Sequence, residues 1–390
     1  MNILLFCDAS NLHRCLAEGL RRKGHNVVVA SDGNRWMNTE RDVDLARPFD
    51  NKIGGALLWM RMRELLRVRL RDFDVVSIAN STFPLFVPAR SALMLKSLVA
   101  NNRNLFVNAL GTDPLYVKAC MERDSPLRYS EWRTAEGLTP YALGPDGHAD
   151  RWLAPELVDL YRELYALSKG TTTALYEYDK VCRSFLGDEN VAYAGIPIDT
   201  ASIRPVELPE RPRRVKLFLG LHSRRMKEKG TDRILAAAKR VVERYPDRSS
   251  LDIVENLPYA DYLRRQREAH VVLDQLYSFT PATNALLAMA AGLNTLSGAE
   301  PEYYDFIGER ELRPIINAVP DDEALYRTLE EVVLHPEFIR QRGLQGREFV
   351  EKHNSLEVVT DRYLQFWQSR MGKNRQTFVD DPNNQNRRER

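Results

Sequence analysis

The chain has 390 residues, 44% of them apolar, which is long enough to bury two cores. Its 56 Lys and Arg against 54 Asp and Glu leave a net charge of +2. The last twenty residues, 371–390, carry that surplus, so no basic field argues for nucleic acid.

The four cysteines show no C-x-x-C spacing and read as reduced thiols of a cytoplasmic protein, neither a disulfide framework nor a zinc site. The start, MNILLFCDAS, lacks a basic n-region and reads as no signal peptide. No apolar run approaches about 18 residues, so nothing is expected to span a membrane.

Asn2–Cys7 predicts a buried strand, followed by the turn Asp8–Asn11 and a helix over Leu12–Lys23. Gly24-His25 stops that helix before a strand at Asn26–Ala30. This is the opening of a Rossmann-like domain. The turn DASN lacks the G-x-G-x-x-G dinucleotide fingerprint, so its edge position suits another ligand, with Asp8, Ser10 and Asn11 as candidates. Residues 57–72, LLWMRMRELLRVRLRD, predict an amphipathic helix. Its arginines are either simply solvated or a weak attraction to an anionic membrane surface.

Strands are expected at Asp74–Ala79 and Asn104–Asn108, with a helix at Ser91–Val99 between them. Gly111 turns the chain and places Thr112 and Asp113 at the same sheet edge. Asp113 is either the N-cap of a helix Pro114–Met121 or a ligand contact. Residues 123–152 are polar, Pro- and Gly-rich, and read as an insertion over a cleft. Leu153–Ser168 predicts a helix, and TTTALYEYDKVCRSF after it a second one facing the cleft. The stretch from Gly195 to Pro212 reads as a hinge.

Val215 restarts the strand–helix rhythm. The loop that follows carries His222, Arg224, Arg225 and Lys229, then a helix Thr231–Arg244, a strand Leu251–Glu255 and a helix Tyr259–Glu268. Val271–Leu276 predicts a strand, Thr280 and Pro281 an N-cap and first helical residue, and Ala282–Ala291 an Ala-rich helix closed by Gly292. A strand Thr295–Ala299 ends at Gly298 and Glu300. The start of that helix is expected at the carboxyl end of a strand, where its free N–H groups and dipole suit a phosphate. With the forked donors of Arg and the point charge of Lys nearby, a diphosphate could be neutralised without a metal. The alternative is a buried helix with no ligand.

GLHSRRMKEKGTDRILAAAK, NALLAMAAGLNTLSG, the GIPID segment and a terminal helix at 356–370 together resemble the GT-B glycosyltransferases, in particular the retaining family 4 (glycosyl transferases group 1) type. The resemblance implies an α/β fold of two Rossmann-like domains facing across a cleft. Residues 1–197 would hold the acceptor and 198–355 the nucleotide-sugar donor. Residues 356–370 would be a helix crossing back to the first domain, and 371–390 a disordered tail. It implies metal-independent, cofactor-free transfer of a sugar from a nucleotide diphosphate to a glycan or glycolipid hydroxyl, at the inner face of the membrane. Arg225, Lys229 and Asp113 would be catalytic. Arg224, His222, Asp274, Ser278, Thr280, Thr283, Asn284 and Glu300 would bind donor, and Asp8, Ser10, Asn11 and Thr112 acceptor. The family's two glutamates, eight apart, are replaced by Phe279 and Leu287; Asp274, Asn284 and Glu300 are the nearby polar substitutes. That departure keeps open an inactive GT-B scaffold or a GT-B-type nucleotide-sugar epimerase.

Overall fold

The structure, a computed structural model, describes residues 1–34, 37–145 and 147–379. Two parallel sheets organise it. The first has seven strands in the order Val43–Asp44, Asn26–Ser31, Asn2–Phe6, Val75–Ala79, Leu105–Ala109, Thr171–Thr173 and Val191–Tyr193. The second has five: Ser249–Glu255, Val215–Leu221, Val271–Leu273, Asn294–Ser297 and Ile316–Asn317. Both orders reverse direction beside their first strand, which opens a crevice at the carboxyl ends of the strands. Helices cover both faces of each sheet, which is why LLF, VVSIA and LFVNA read as unbroken apolar runs.

Local chemistry moves several expected boundaries. The arginine-rich helix runs Lys52–Val68, because the Asn51 side chain accepts the Gly54 N–H at 2.9 Å and starts it early. Thr171–Thr173 is a strand and not the head of a helix, in keeping with three β-branched residues in a row; the helix begins only at Tyr176. Thr280 caps nothing. The Ala-rich helix spans Thr283–Ala290, with Ala282 at its N-cap and no side-chain acceptor there.

The chain passes between the sheets twice, and the two crossings pair with each other. Ile198 N–H donates to Asn354 O at 2.8 Å, and Leu356 N–H donates to Ile198 O at 3.0 Å. Leu356–Arg370 then lies on the first domain as expected. Tyr363 and Trp367 are fully buried, and Tyr363 Oη donates to Asn108 Oδ1 at 2.9 Å. Gly19 is what lets this helix approach the first one: a Cβ there would stand 2.1 Å from Thr360 Oγ1 and 3.1 Å from Leu356 Cγ.

The expected disordered tail needs correction over 371–379. Phe378 is buried and stacks on Phe185 at 5.9 Å, and Gln376 Nε2 donates to Tyr165 O at 2.7 Å. An aromatic and an amide spaced two apart found partners that composition does not reveal. Residues 380–390 lie outside the described residues.

Gly19→Ala should lower stability by about 1–3 kcal/mol through overpacking against Leu356–Arg370. Urea unfolding measures this, and an unchanged midpoint would contradict the docking of that helix.

Candidate functional site

The carboxyl ends of the strands of both sheets converge on one cleft of about 940 Å³. The first domain supplies Ser10, Ser81, Thr112, Glu131, Glu177 and Tyr178 to it. The second supplies His222, Arg225, Glu228, Lys229, Asp274 and Asn284, together with the start of the helix at Ala282 and Thr283. Most enter from the loop or the first helical turn after a strand, so their placement follows from the topology, while Glu131 comes from the inserted segment.

On the second-domain side, Gly230 holds φ at +66°, and a Cβ there would meet Leu276 Cβ at 2.7 Å. Only glycine lets the basic loop lie this close to the neighbouring strand exit. The loop's own backbone is tied down where Leu276 N–H donates to Lys229 O at 2.8 Å. Lys229 Nζ stands 3.8 Å from Asp274 Oδ1 and stays about 29% exposed, facing the cleft. Asp274 is buried, accepting from Asn284 Nδ2 at 3.1 Å and from Ser297 Oγ at 3.3 Å. Asn284 in turn accepts from Tyr262 Oη at 2.9 Å and Gln266 Nε2 at 3.0 Å. Arg225 is held as a fork by Glu228, with contacts of 2.8 and 2.5 Å. The pair is intermediate to exposed, so a ligand with more charge than one carboxylate can compete for the guanidinium.

Of the residues expected from sequence, Ser10, Thr112, His222, Arg225, Lys229, Asp274, Thr283 and Asn284 line the cleft. The others are placed differently. Asp113 is the N-cap: Oδ1 accepts the Leu115 and Tyr116 N–H groups at 2.9 Å each, and Oδ2 accepts Asn80 Nδ2 and Tyr165 Oη at 2.7 Å each. Its oxygens are spent, and it acts by fixing the Leu110–Thr112 loop, which Asn80 Oδ1 also grips through the Leu110 and Gly111 N–H groups. Asp8 is likewise buried and accepts from the His13 and Arg14 N–H groups. Asn11 occupies a left-handed conformation at φ 64° before the first helix and does not line the cleft. Arg224 is exposed and does not line the cleft.

Three donor-side expectations fall instead on the contact between domains. Thr280 Oγ1 donates to Glu177 Oε2 at 2.8 Å and accepts Tyr176 N–H at 3.0 Å. Ser278 is buried, and its backbone O accepts from Tyr129 Oη of the first domain at 3.3 Å. Glu300 is buried and taken by Arg128 Nη2 at 2.7 Å, Tyr129 Oη at 2.8 Å and Asn317 Nδ2 at 3.2 Å. It is no substitute for the replaced glutamates. Of the two replacing residues, Leu287 lines the cleft, while Phe279 stacks on Tyr129 at 4.7 Å and meets Tyr176 at 5.6 Å.

The sequence reading missed two carboxyls. Glu131 comes from the inserted segment and is pushed up to about 8, chiefly by burial and then by the charges of Glu228 and Glu177. Glu177 is pushed to about 7 by burial, against hydrogen bonds from Thr280 and the backbone. A carboxyl poised near neutrality in a cleft wall can donate to a sugar hydroxyl when protonated and withdraw its proton when not. Helical phase could have pointed to Glu177; nothing local marks Glu131.

No family model and no curated protein matches the sequence. Solved structures do match in fold. Sucrose-phosphate synthase from Thermosynechococcus elongatus is similar at a TM-score of 0.60 and 13% identity, over 95% of this chain and 98% of that one. The catalytic domain of starch synthase IV from Arabidopsis thaliana, bound to ADP and acarbose, is similar at 0.59 and 12%, over 95% and 99%. Anabaena HepE in complex with UDP and glucose is similar at 0.55 and 9%, over 94% and 99%. Identities this low carry the architecture alone: the chain has the GT-B fold, two Rossmann-like domains facing across a cleft.

The raised carboxyl Glu177 has a signature in stability. Between its ordinary value of 4.5 and about 7 the folded chain keeps a proton that the unfolded chain has lost. Its contribution therefore makes stability fall as pH rises through that window and level off above it. Glu177→Gln should flatten this fall, measured by urea unfolding at about pH 5 and about pH 8; an unchanged slope would contradict the assignment.

Proposed function

We propose that this protein is a glycosyltransferase that moves a sugar from a nucleotide diphosphate donor to a hydroxyl of a glycan or glycolipid, in polysaccharide or glycolipid assembly. The observation that carries the reading is the meeting, in one cleft, of Arg225, Lys229 and an uncapped helix start at Thr283 with the Ser10 and Thr112 loops opposite. Among the GT-B neighbours, starch synthase IV was solved with ADP and HepE with UDP and glucose.

In this reading the diphosphate lies over the first turn of Thr283–Ala290. Its amides and dipole favour the negative charge, and Lys229 and Arg225 supply the rest. Glu228 holds Arg225 in position and yields it to the ligand. As the donor bond breaks, charge grows on the leaving phosphate, and these groups stabilise it without reorganising. We assign the neutralisation to side chains and amides, with no metal, and retention of configuration on the strength of the family 4 resemblance. Asp274 and Asn284 would meet the polar part of the donor where the family has a glutamate, their orientation set by Tyr262, Gln266 and Ser297. Acceptor would enter along Ser10 and Thr112, with Glu131 contacting the attacking hydroxyl. Closure of the domains would exclude water and limit hydrolysis of the donor. Among the described residues no helix is long and apolar enough to cross a membrane. On the strength of the free cysteines and the family 4 resemblance we place the enzyme in the cytoplasm.

Lys229→Ala should weaken binding of a nucleoside diphosphate by roughly tenfold or more, the loss of one charge-assisted contact, and leave nucleoside binding nearly unchanged. Titration calorimetry reads both, and equal losses would remove the phosphate assignment. Glu131→Gln should keep nucleotide binding and lower transfer by roughly 10²-fold, as for loss of an acid–base group. Wild-type protein that binds nucleotide yet never releases it from any nucleotide sugar would identify an inactive scaffold instead.

A further inference from the structure

The arginine-rich helix Lys52–Val68 is apolar on its outside as well as its inside. Leu58, Met62, Leu65 and Leu66 face the core. Ile53, Leu57, Met60 and Val68 do not: they are 65%, 39%, 59% and 69% exposed. Their spacing of 4, 3 and 8 residues puts them on one stripe, opposite the core stripe at 3.6 residues per turn; exposed Glu64 is the one acidic residue on it, between Met60 and Val68. Arg61 lies along one margin of that stripe, and Arg63 and Arg67 along the other. All three are exposed, and among the described residues none forms an ion pair. Of the eleven large apolar side chains exposed among the described residues, seven fall between 49 and 93, on this helix, its entry and the adjoining helix Pro88–Asn101.

Charge follows the same pattern. Residues 47–71 hold seven basic side chains (Arg47, Lys52, Arg61, Arg63, Arg67, Arg69, Arg71) and two acidic ones (Asp50, Glu64). A segment with a net charge of +5 thus sits in a chain whose total is +2. Solvated arginine alone explains the charge but not the apolar stripe between the arginines. A second copy of the chain is a poor occupant, since a two-fold contact would set this cationic face against itself. A surface that is negative and apolar just beneath accounts for both features. The stripe enters the boundary of the acyl chains, and the flanking arginines reach outward to the phosphates.

We propose that the first domain docks on an anionic membrane surface through the outer stripe of Lys52–Val68. The docking is independent of the transferase reading, which it would complement by holding the first domain at the surface from which a lipid-borne acceptor is presented.

The test is co-sedimentation of the full chain with vesicles, alongside nucleotide binding in solution, so that either idea can fail alone. The protein should sediment with mixed phosphatidylserine and phosphatidylcholine vesicles, not with phosphatidylcholine alone, and high salt should release it. Each positive charge removed should weaken the partition about fivefold. Arg63→Glu with Arg67→Glu should therefore abolish sedimentation, and Met60→Asp should weaken it, with circular dichroism and nucleotide binding unchanged. Arg240→Glu with Arg244→Glu, on the second domain, should sediment as wild type. Wild type remaining in the supernatant with anionic vesicles would overturn the proposal, as would equal loss in the second-domain variant. A concentration-dependent dimer that Met60→Asp dissolves would assign the face to a second copy and overturn it too.

Discussion

The cleft lies beside a buried contact between the two domains, an apolar cluster with specific polar pairs at its edge, and that contact sets how the domains face each other. Thr280, just before the Ala-rich helix, places its hydroxyl between the Tyr176 amide and the Glu177 carboxyl. Next to it Phe279 packs between Tyr129 and Tyr176, and Arg128 bridges to Glu300 at 2.7 Å and Glu302 at 2.6 Å. Buried polar groups of this kind cost free energy when unpaired, so they tolerate few alternative arrangements. The start of the Thr283–Ala290 helix and the first-domain wall of the cleft at Glu177 are thus positioned by adjacent residues in one contact.

The same contact gives a physical account of the replaced glutamates. Phe279 stands where the family that the sequence resembles carries an acid, and here that position faces aromatic rings of the first domain. A carboxylate among Tyr129, Tyr176 and Leu286 would be desolvated, with Glu177 and Glu300 already close by. The exchange of acid for ring moves the position from ligand recognition to domain packing. In the proposed function, polar recognition on that side would fall to Asp274 and Asn284, which enter from the strand exit and the helix start.

Much of this was legible in the sequence, for reasons that can be named. Apolar runs closed by Gly gave the strands, and strands of a parallel sheet deliver their exit loops to one edge; hence Ser10, Thr112, His222, Lys229 and Asp274 all reached the cleft. What a strand-exit residue does there is not encoded in its position. Asp8 and Asp113 look the same in sequence as ligand contacts, but their oxygens turn to backbone amides a few residues on. Glu300 was opaque because its partner Arg128 lies 172 residues away in a segment with no periodicity. Glu131 was hidden for the same reason. Residues 171–173 misled because a helical reading of the whole stretch ignored three consecutive β-branched residues.

In the proposed function Lys229, Arg225 and the first turn of Thr283–Ala290 grip a diphosphate inside the inter-domain cleft. A crystal structure of the protein with a nucleoside diphosphate tests this most directly. The terminal phosphate should lie within hydrogen-bond reach of Lys229 Nζ and of the amides at the helix start, with Arg225 turned from Glu228 toward it. A nucleotide bound elsewhere, or one in the cleft with its phosphates directed away from that helix, would contradict it.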